Sequence, residues 1–180
     1  ELISKSTDNF FNFSDRKDIA AIINSNTTIS YQDLFFKARQ LANSLSGKGI
    51  EKGTYIPLLI EDNFLFIKTV IALWYLGAIP VPLNIKLLDD EINSILEEHV
   101  FKFFITDKKS SFNHIKKELG LIKFDKIINV DDETHTFSIP TLEQEAVVIF
   151  TSGSTRRPKG VVHTFSSLIK SIENGNQILM

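Results

Sequence analysis

Hydrophobic residues along this chain switch between two spacings, and the switches mark out its elements. Ile19-Ala20-Ala21-Ile22-Ile23 and Thr27-Thr28-Ile29 flank Asn24-Ser25-Asn26 and predict a short hairpin. Leu34, Phe35, Ala38, Leu41, Ala42 and Leu45 then recur at helical spacing and form one apolar stripe. Ser30-Tyr31-Gln32-Asp33 opens that helix like a capping box, with Asp in place of the usual Glu or Gln. Gly47 is expected to close it in the left-handed conformation. Gly49 to Gly53 reads as a turn and Tyr55 to Ile60 as a strand. Pro57, lacking a backbone N–H, suits an edge or a bulge of that strand.

From about Asn63 to Leu76 the chain is apolar on nearly every side, which predicts a deeply covered helix. Gly77 ends it, and Ala78 to Leu83 returns as a strand. Asp89 or Asp90 is expected to cap a helix running to about Glu98, with Ile92, Ile95 and Leu96 inward. Phe101 to Thr106 is expected as a strand, Ser111 to Leu119 as a helix stopped by Gly120, and Lys126 to Val130 as another strand. Asp131 to Leu142 reads as a polar connector. Val147 to Phe150 reads as a buried strand, and Thr164 caps a last helix with Phe165, Leu168, Ile169 and Ile172 on one face. Strands alternating with helices predict an α/β fold, a mostly parallel sheet flanked by helices on both faces.

At 180 residues the chain suits one domain and can bury roughly 70% of its unfolded surface. Its 43% apolar and 23% charged residues exclude a disordered chain. A net charge of −2 gives no general attraction to nucleic acid or membrane. There are no cysteines, which excludes disulfides, thiol catalysis and cysteine-ligated zinc, and fits a reducing, cytoplasmic compartment. Phe64 to Leu83 is long enough to span a membrane, but Lys68, Gly77, Pro80 and Pro82 interrupt it. The start at Glu1, with no Met and no leader pattern, leads us to expect a piece of a longer protein.

The candidate chemistry sits in one stretch, Val147-Val148-Ile149-Phe150-Thr151-Ser152-Gly153-Ser154-Thr155-Arg156-Arg157-Pro158-Lys159-Gly160-Val161-Val162-His163-Thr164. An apolar strand gives way to a loop rich in hydroxyls and glycine, and Pro-Lys-Gly leads into a second apolar run. Small residues let a backbone approach a ligand closely, and successive N–H groups converge on an anion. Thr151, Ser152, Ser154 and Thr155 add hydroxyl donors, and Lys159 adds a full positive charge. From Ala146 to Ile172 there is no Asp or Glu, while Arg156, Arg157, Lys159 and Lys170 are basic. That field suits a polyphosphate. A solvated Ser/Gly turn is the plain alternative; the preceding strand, the Pro-Lys-Gly stop and the missing acids count against it. A Walker A loop needs G-x-x-x-x-G-K-[ST] opening directly into a helix, and here Pro158 and Gly160 break that pattern.

The loop, from Thr151 to Thr155 with Pro158-Lys159-Gly160, resembles the phosphate-loop signature of the adenylate-forming (AMP-binding) superfamily. Three upstream pieces agree in order: Ile29-Ser30-Tyr31-Gln32-Asp33-Leu34, Gly49-Ile50-Glu51-Lys52-Gly53-Thr54, and Leu76-Gly77-Ala78-Ile79-Pro80-Val81-Pro82-Leu83-Asn84. The similarity spans roughly Ile19 to Ile172. It implies that residues 1–180 are the N-terminal portion of a large AMP-binding domain. The rest of that domain and the mobile C-terminal domain, with the magnesium-binding acid and a late catalytic lysine, are not in this chain.

The resemblance further implies a carboxylate substrate, Mg2+-bound ATP, and transfer of the acyl adenylate to a thiol such as coenzyme A. By that resemblance Thr151, Ser152, Gly153, Ser154, Thr155, Lys159 and Gly160 bind the nucleotide, and Lys159 is also the catalytic cation. The ending Gly160-Val161-Val162-His163-Thr164 is most similar to o-succinylbenzoate–CoA ligases of menaquinone synthesis. His163 is assigned to the border of the acyl pocket, with a structural role, the commoner one for a histidine after a strand, as the alternative. No metal ligand is assigned, and His99, His114 and His135 are assigned nothing. Trp74 is read as core. Arg156 stands where the family has glycine, so Arg156→Gly is expected to improve ATP affinity. A cut parallel sheet exposes pairing edges, which allows a homodimer. Other acyl-CoA synthetases, a peptide-synthetase adenylation domain and a lapsed ATP-binding module stay open.

Overall fold

The computed structural model of the chain describes residues 11–12, 14–23, 27–108, 119–124, 137–151 and 159–178. Strands β1 (Ala20–Ile23) and β2 (Thr28–Ser30) pair antiparallel, as the first two apolar runs predict. Ser30 then caps helix α1 (Tyr31–Ser46): its hydroxyl oxygen accepts the Asp33 N–H at 3.1 Å. The same hydroxyl donates to the Asp33 carboxylate at 2.9 Å, so the short acid closes on the hydroxyl. All six residues of the apolar stripe are buried. Leu34, Phe35, Leu41 and Leu45 each contribute about 1.5–3 kcal/mol on burial, and the two alanines less.

Gly47 is not the left-handed stop. It keeps φ −60° and bonds its N–H to Asn43 O at 3.0 Å, still in the helical pattern. Gly49 takes that role at φ +88°, where the Gly49 N–H reaches Ser46 O and the Ile50 N–H reaches Leu45 O. Helix α2 (Asn63–Tyr75) follows expectation: Asp62 caps it through the Leu65 N–H at 2.7 Å, and Gly77 at φ +66° ends it. Lys68 within it is half-buried, its ammonium 5.6 and 5.8 Å from the ring centres of Phe64 and Phe124. Burial holds its amine below the ordinary lysine value, and repulsion from Lys37 adds to the effect. No described helix is long and apolar enough to cross a membrane.

Helix α3 (Asp89–Glu98) buries Ile92, Ile95 and Leu96, but its N-cap is Leu88, not an aspartate. Leu88 has no polar side chain, so the Glu91 carboxylate reaches back to the Leu88 N–H at 2.8 Å. Asp89 and Asp90 sit inside the first turn, where their charge meets the positive end of the helix dipole.

The central sheet runs β4 (Ile79–Pro82), β3 (Tyr55–Leu59), β5 (Phe103–Thr106), β6 (Gly120–Lys123), all parallel. Strand β6 is not among the expected elements. Gly120, read as a helix stop, instead opens it, packed so closely on Phe103 that a Cβ would come within 2.8 Å of the ring. The expected helix at 111–119 lies outside the described residues but for Leu119, and the strand at 126–130 lies wholly outside them. Pro57 sits on an interior strand. The bonds Ile79 N–H to Thr54 O and Leu83 N–H to Leu58 O turn even-numbered β3 positions toward β4. Pro57 therefore faces β5, and having no N–H to donate it marks where that ladder begins, at Leu58.

Two apolar clusters cover the two faces of this sheet. Ile56, Leu58 and Ile105 pack with α1 and α2, while Leu59, Val81 and Phe104 pack with α3. The layered, mainly parallel α/β fold is as predicted. Strands β7 (Glu145–Thr151) and β8 (Lys159–Thr164) depart from it by pairing antiparallel, with β7 packed along β4. Thr164 caps helix α4 (Phe165–Ile178), its hydroxyl oxygen accepting the Ser167 N–H at 3.2 Å. Phe165 is buried on the expected face, but Ile172 is 64% exposed.

Candidate functional site

The candidate loop closes a β-hairpin. Thr151 pairs with Lys159, Phe150 with Gly160, Ile149 with Val161, Val148 with Val162, and Val147 with His163. Alternation along each strand gives the hairpin two faces. Val148, Phe150, Gly160 and Val162 share one; Val147, Ile149, Thr151, Lys159, Val161 and His163 share the other. Val148 packs into the α3-side cluster, while Ile149 and Val161 are 43% and 42% exposed. Strand β7 is therefore half-buried, where the apolar run alone predicts a buried strand.

The base of the hairpin is tied to the body by two side chains. The indole N–H of Trp74 donates to Ala146 O at 2.7 Å, and the Tyr55 hydroxyl donates to the Glu145 carboxylate. The bond to Glu145 holds the Tyr55 hydroxyl above its ordinary value, with desolvation and the Glu145 charge adding to it.

Thr151 and Lys159 form the neck of the loop, the last described pair before it. The Thr151 hydroxyl donates to Lys159 O at 3.4 Å, a long bond that a better acceptor displaces readily. Lys159 is exposed, and among the described residues no acid lies within ion-pairing distance of it; the one described ion pair joins Lys108 and Glu61. Gly160 has a packing reason of its own: a Cβ there would lie 3.0 Å from Val148 Cγ1 and 3.4 Å from the Phe150 ring. His163 is half-buried on the same face as Lys159. Four residues of strand, about 13 Å, separate their α-carbons. Ser152, Gly153, Ser154, Thr155 and Arg156 lie outside the described residues. The structure thus brings Thr151, Lys159 and Gly160 together and sets His163 apart.

Two side chains take places that the sequence reading missed. His99, read as lacking a partner, lies 5.3 Å from the Phe150 ring and 5.7 Å from that of Phe101. It borders a cavity of about 270 Å3 with Tyr55, Val81, Phe150, Gly160 and Val162, on the hairpin face opposite Lys159. His114 and His135 lie outside the described residues. Asp107, at the carboxyl end of β5, accepts the N–H groups of Glu61 at 3.0 Å and Asp62 at 2.9 Å. Strands β3 and β5 form the switch point of the sheet, the usual ligand crevice of such folds. Here the Asp107 carboxylate ties the end of β5 to the chain leaving β3. No sequence signal pointed to the contact of His99 with Phe150 or to those of Asp107, since each joins residues more than 40 apart.

Among the described residues no group of three or more His, Cys, Asp or Glu is placed to hold a metal ion.

Comparison with known proteins places these residues among relatives. The AMP-binding enzyme family matches residues 12–178. The 2-succinylbenzoate–CoA ligase of Oceanobacillus iheyensis is 31% identical over 147 residues, 78% of this chain and 30% of the ligase. Tyrocidine synthase 1 of Brevibacillus parabrevis is 30% identical over 154 residues, 81% of this chain and 14% of the synthase. The solved o-succinylbenzoate CoA synthetase from Bacillus subtilis, in complex with the acyl-adenylate intermediate OSB-AMP, matches with TM-score 0.85 at 24% identity. That match covers 93% of this chain and 44% of the solved chain. The same synthetase in complex with ATP and magnesium ion gives TM-score 0.83, also at 24% identity, covering 93% and 45%. At this identity the likeness is one of fold. The chain spans less than a third of the length of either curated relative.

Proposed function

The chain belongs to the AMP-binding enzyme family, and from that premise we propose that it is the N-terminal part of a cytoplasmic acid–CoA ligase that forms AMP. In the whole protein a carboxylate oxygen attacks the α-phosphorus of magnesium-bound ATP, the bond to the β-phosphate breaks, and pyrophosphate leaves. The thiol sulfur of coenzyme A then attacks the acyl carbonyl, and AMP leaves. The carrying observation is the neck of the hairpin, which holds Lys159 and the Thr151 hydroxyl side by side at the mouth of an acid-free loop. Pyrophosphate gathers negative charge as it departs, so donors preset at its oxygens lower the barrier. Each charge-assisted bond contributes about 1.5–3 kcal/mol. Ser152, Ser154 and Thr155 are assigned as further donors and Gly153 as the close-approach residue.

For the acid, the reading is o-succinylbenzoate, and with it menaquinone biosynthesis. Similarity to the Oceanobacillus 2-succinylbenzoate–CoA ligase supports it, and His163 is assigned to border the acyl group. Similarity to tyrocidine synthase 1 favours a second reading, an adenylation domain that delivers its acyl group to a carrier protein. Carboxylate-dependent ATP–pyrophosphate exchange on the full-length protein decides between them, screened with o-succinylbenzoate, fatty acids and amino acids. Exchange driven by o-succinylbenzoate and followed by CoA thioester formation is the expected result. Exchange driven by amino acids alone rejects it for the second reading. The 180-residue piece by itself is expected to show no exchange.

A further inference from the structure

Strand β7 shifts register between Glu145 and Val147, so Ala146 sits in a bulge. Its side chain is fully buried. The Ala146 carbonyl points to the body of the protein, where the Trp74 indole N–H meets it at 2.7 Å. The indole also lies 5.1 Å from the ring of Phe165, crossed at 62°. Phe165 follows Thr164 directly, so it stands at the foot of β8. One side chain therefore holds the incoming leg of the hairpin by a hydrogen bond and the outgoing leg by ring contact. The Phe165 N–H to Gln144 O bond at 3.1 Å joins the two legs at the same level. Trp74 is itself fixed by the end of α2, where its carbonyl accepts the Gly77 N–H at 3.0 Å.

From these contacts we infer that Trp74 is a positioning residue for the hairpin neck at Thr151 and Lys159, an inference that rests on the ATP reading above. Bulges re-aim the strand that carries them, and the bond to Trp74 fixes which way this one aims. The neck at Thr151 lies five residues beyond Ala146, about 17 Å along the strand. A tilt of about 5° at the base would swing the neck by about 1.5 Å over that length. A shift of that size carries a donor at the neck out of hydrogen-bond reach of a phosphate oxygen, the loss of one such bond. An ordinary core tryptophan would contribute only its buried area, and phenylalanine would replace most of that.

Trp74→Phe in the full-length protein keeps a ring and removes the donor. Hydrogen exchange at the amides of Val147 to Phe150 and Val161 to His163 is expected to quicken about tenfold, with the β3–β6 ladders unchanged. The KM for ATP in pyrophosphate exchange is expected to rise about tenfold, as for one lost hydrogen bond, with the carboxylate KM unmoved. Ile122→Val, a buried change on the far strand of the sheet, is the stability control and is expected to move neither readout. Should Trp74→Phe fail to fold, Phe165→Leu tests the same clamp from the other leg with the same expected outcomes. Unchanged hairpin exchange overturns the inference, and so does faster exchange with an ATP KM equal to that of the control. A wild type with no carboxylate-dependent activity overturns the ATP reading instead, and hairpin exchange then still decides whether Trp74 aims the strand.

Discussion

Gly160 faces Phe150 across the hairpin in a place that would crowd a β-carbon, because Val148 Cγ1 stands 3.0 Å from where that carbon would be. The residue two steps from the loop is thus held by packing as well as by any ligand. Gly160→Ala is expected to destabilise the protein by about 1 kcal/mol, the lower end of overpacking costs, because the Val148 side chain must give. Urea unfolding measures it, and a variant as stable as wild type would refute the packing account.

Lys159 is exposed and outside both apolar clusters, so its removal has little to unmake in the fold. Lys159→Ala is expected to lower kcat/KM for ATP by about 10- to 100-fold, the worth of one charge-assisted hydrogen bond. The melting temperature should stay where it is. Kinetics with varied ATP, beside a thermal melt, check both halves; an unaltered kcat/KM would show that this cation does not touch the nucleotide.

The glycines after the helices are not equivalent. Gly77 holds φ +66°, and a Cβ there would also press on Lys52 at 2.9 Å. Gly77→Ala should cost about 1–2 kcal/mol for the left-handed backbone alone. Gly47 is right-handed, and a Cβ there meets nothing nearer than 3.6 Å. Gly47→Ala should therefore stabilise by about 0.4–1 kcal/mol, through the unfolded chain. Paired denaturation curves test the contrast.

Tyr55 and Glu145 give the stability a signature at high pH. The Tyr55 hydroxyl is held above its ordinary value of 10.0, chiefly by its bond to Glu145. A raised value in the folded state means that folding favours the neutral hydroxyl. Its contribution is then complete below the unfolded value and is lost as pH climbs through the folded one. The stability gap between wild type and Tyr55→Phe is expected to be level from about pH 6 to about pH 9 and to shrink above about pH 10. A gap that is level throughout would mean the bond contributes nothing.

Local patterns were legible in the sequence and pairings were not. The stripe from Leu34 to Leu45 and the stop at Gly77 followed from helical spacing and glycine chemistry, because both depend on neighbours a few residues away. Gly47 was misread because three glycines follow that helix closely, and only the backbone selects Gly49. Strand β6 hides in four residues, too short for alternation to stand out. Lys159 and Thr151 stood out as candidate chemistry by type and setting. Their antiparallel pairing, the place of His99 against Phe150 and the bond from Trp74 to Ala146 all depend on contacts between strands and layers, which no local spacing encodes. Ile172 fits the helical stripe yet stays exposed, for a stripe tells which face is apolar and not what covers it.

Because Lys159 returns on the strand beside Thr151, their α-carbons keep the spacing of two paired strands, about 5 Å. The ladder beneath them, from Phe150–Gly160 down to Val147–His163, fixes that spacing. A substitution between positions 151 and 159 in the sequence therefore leaves the two anchors where they are.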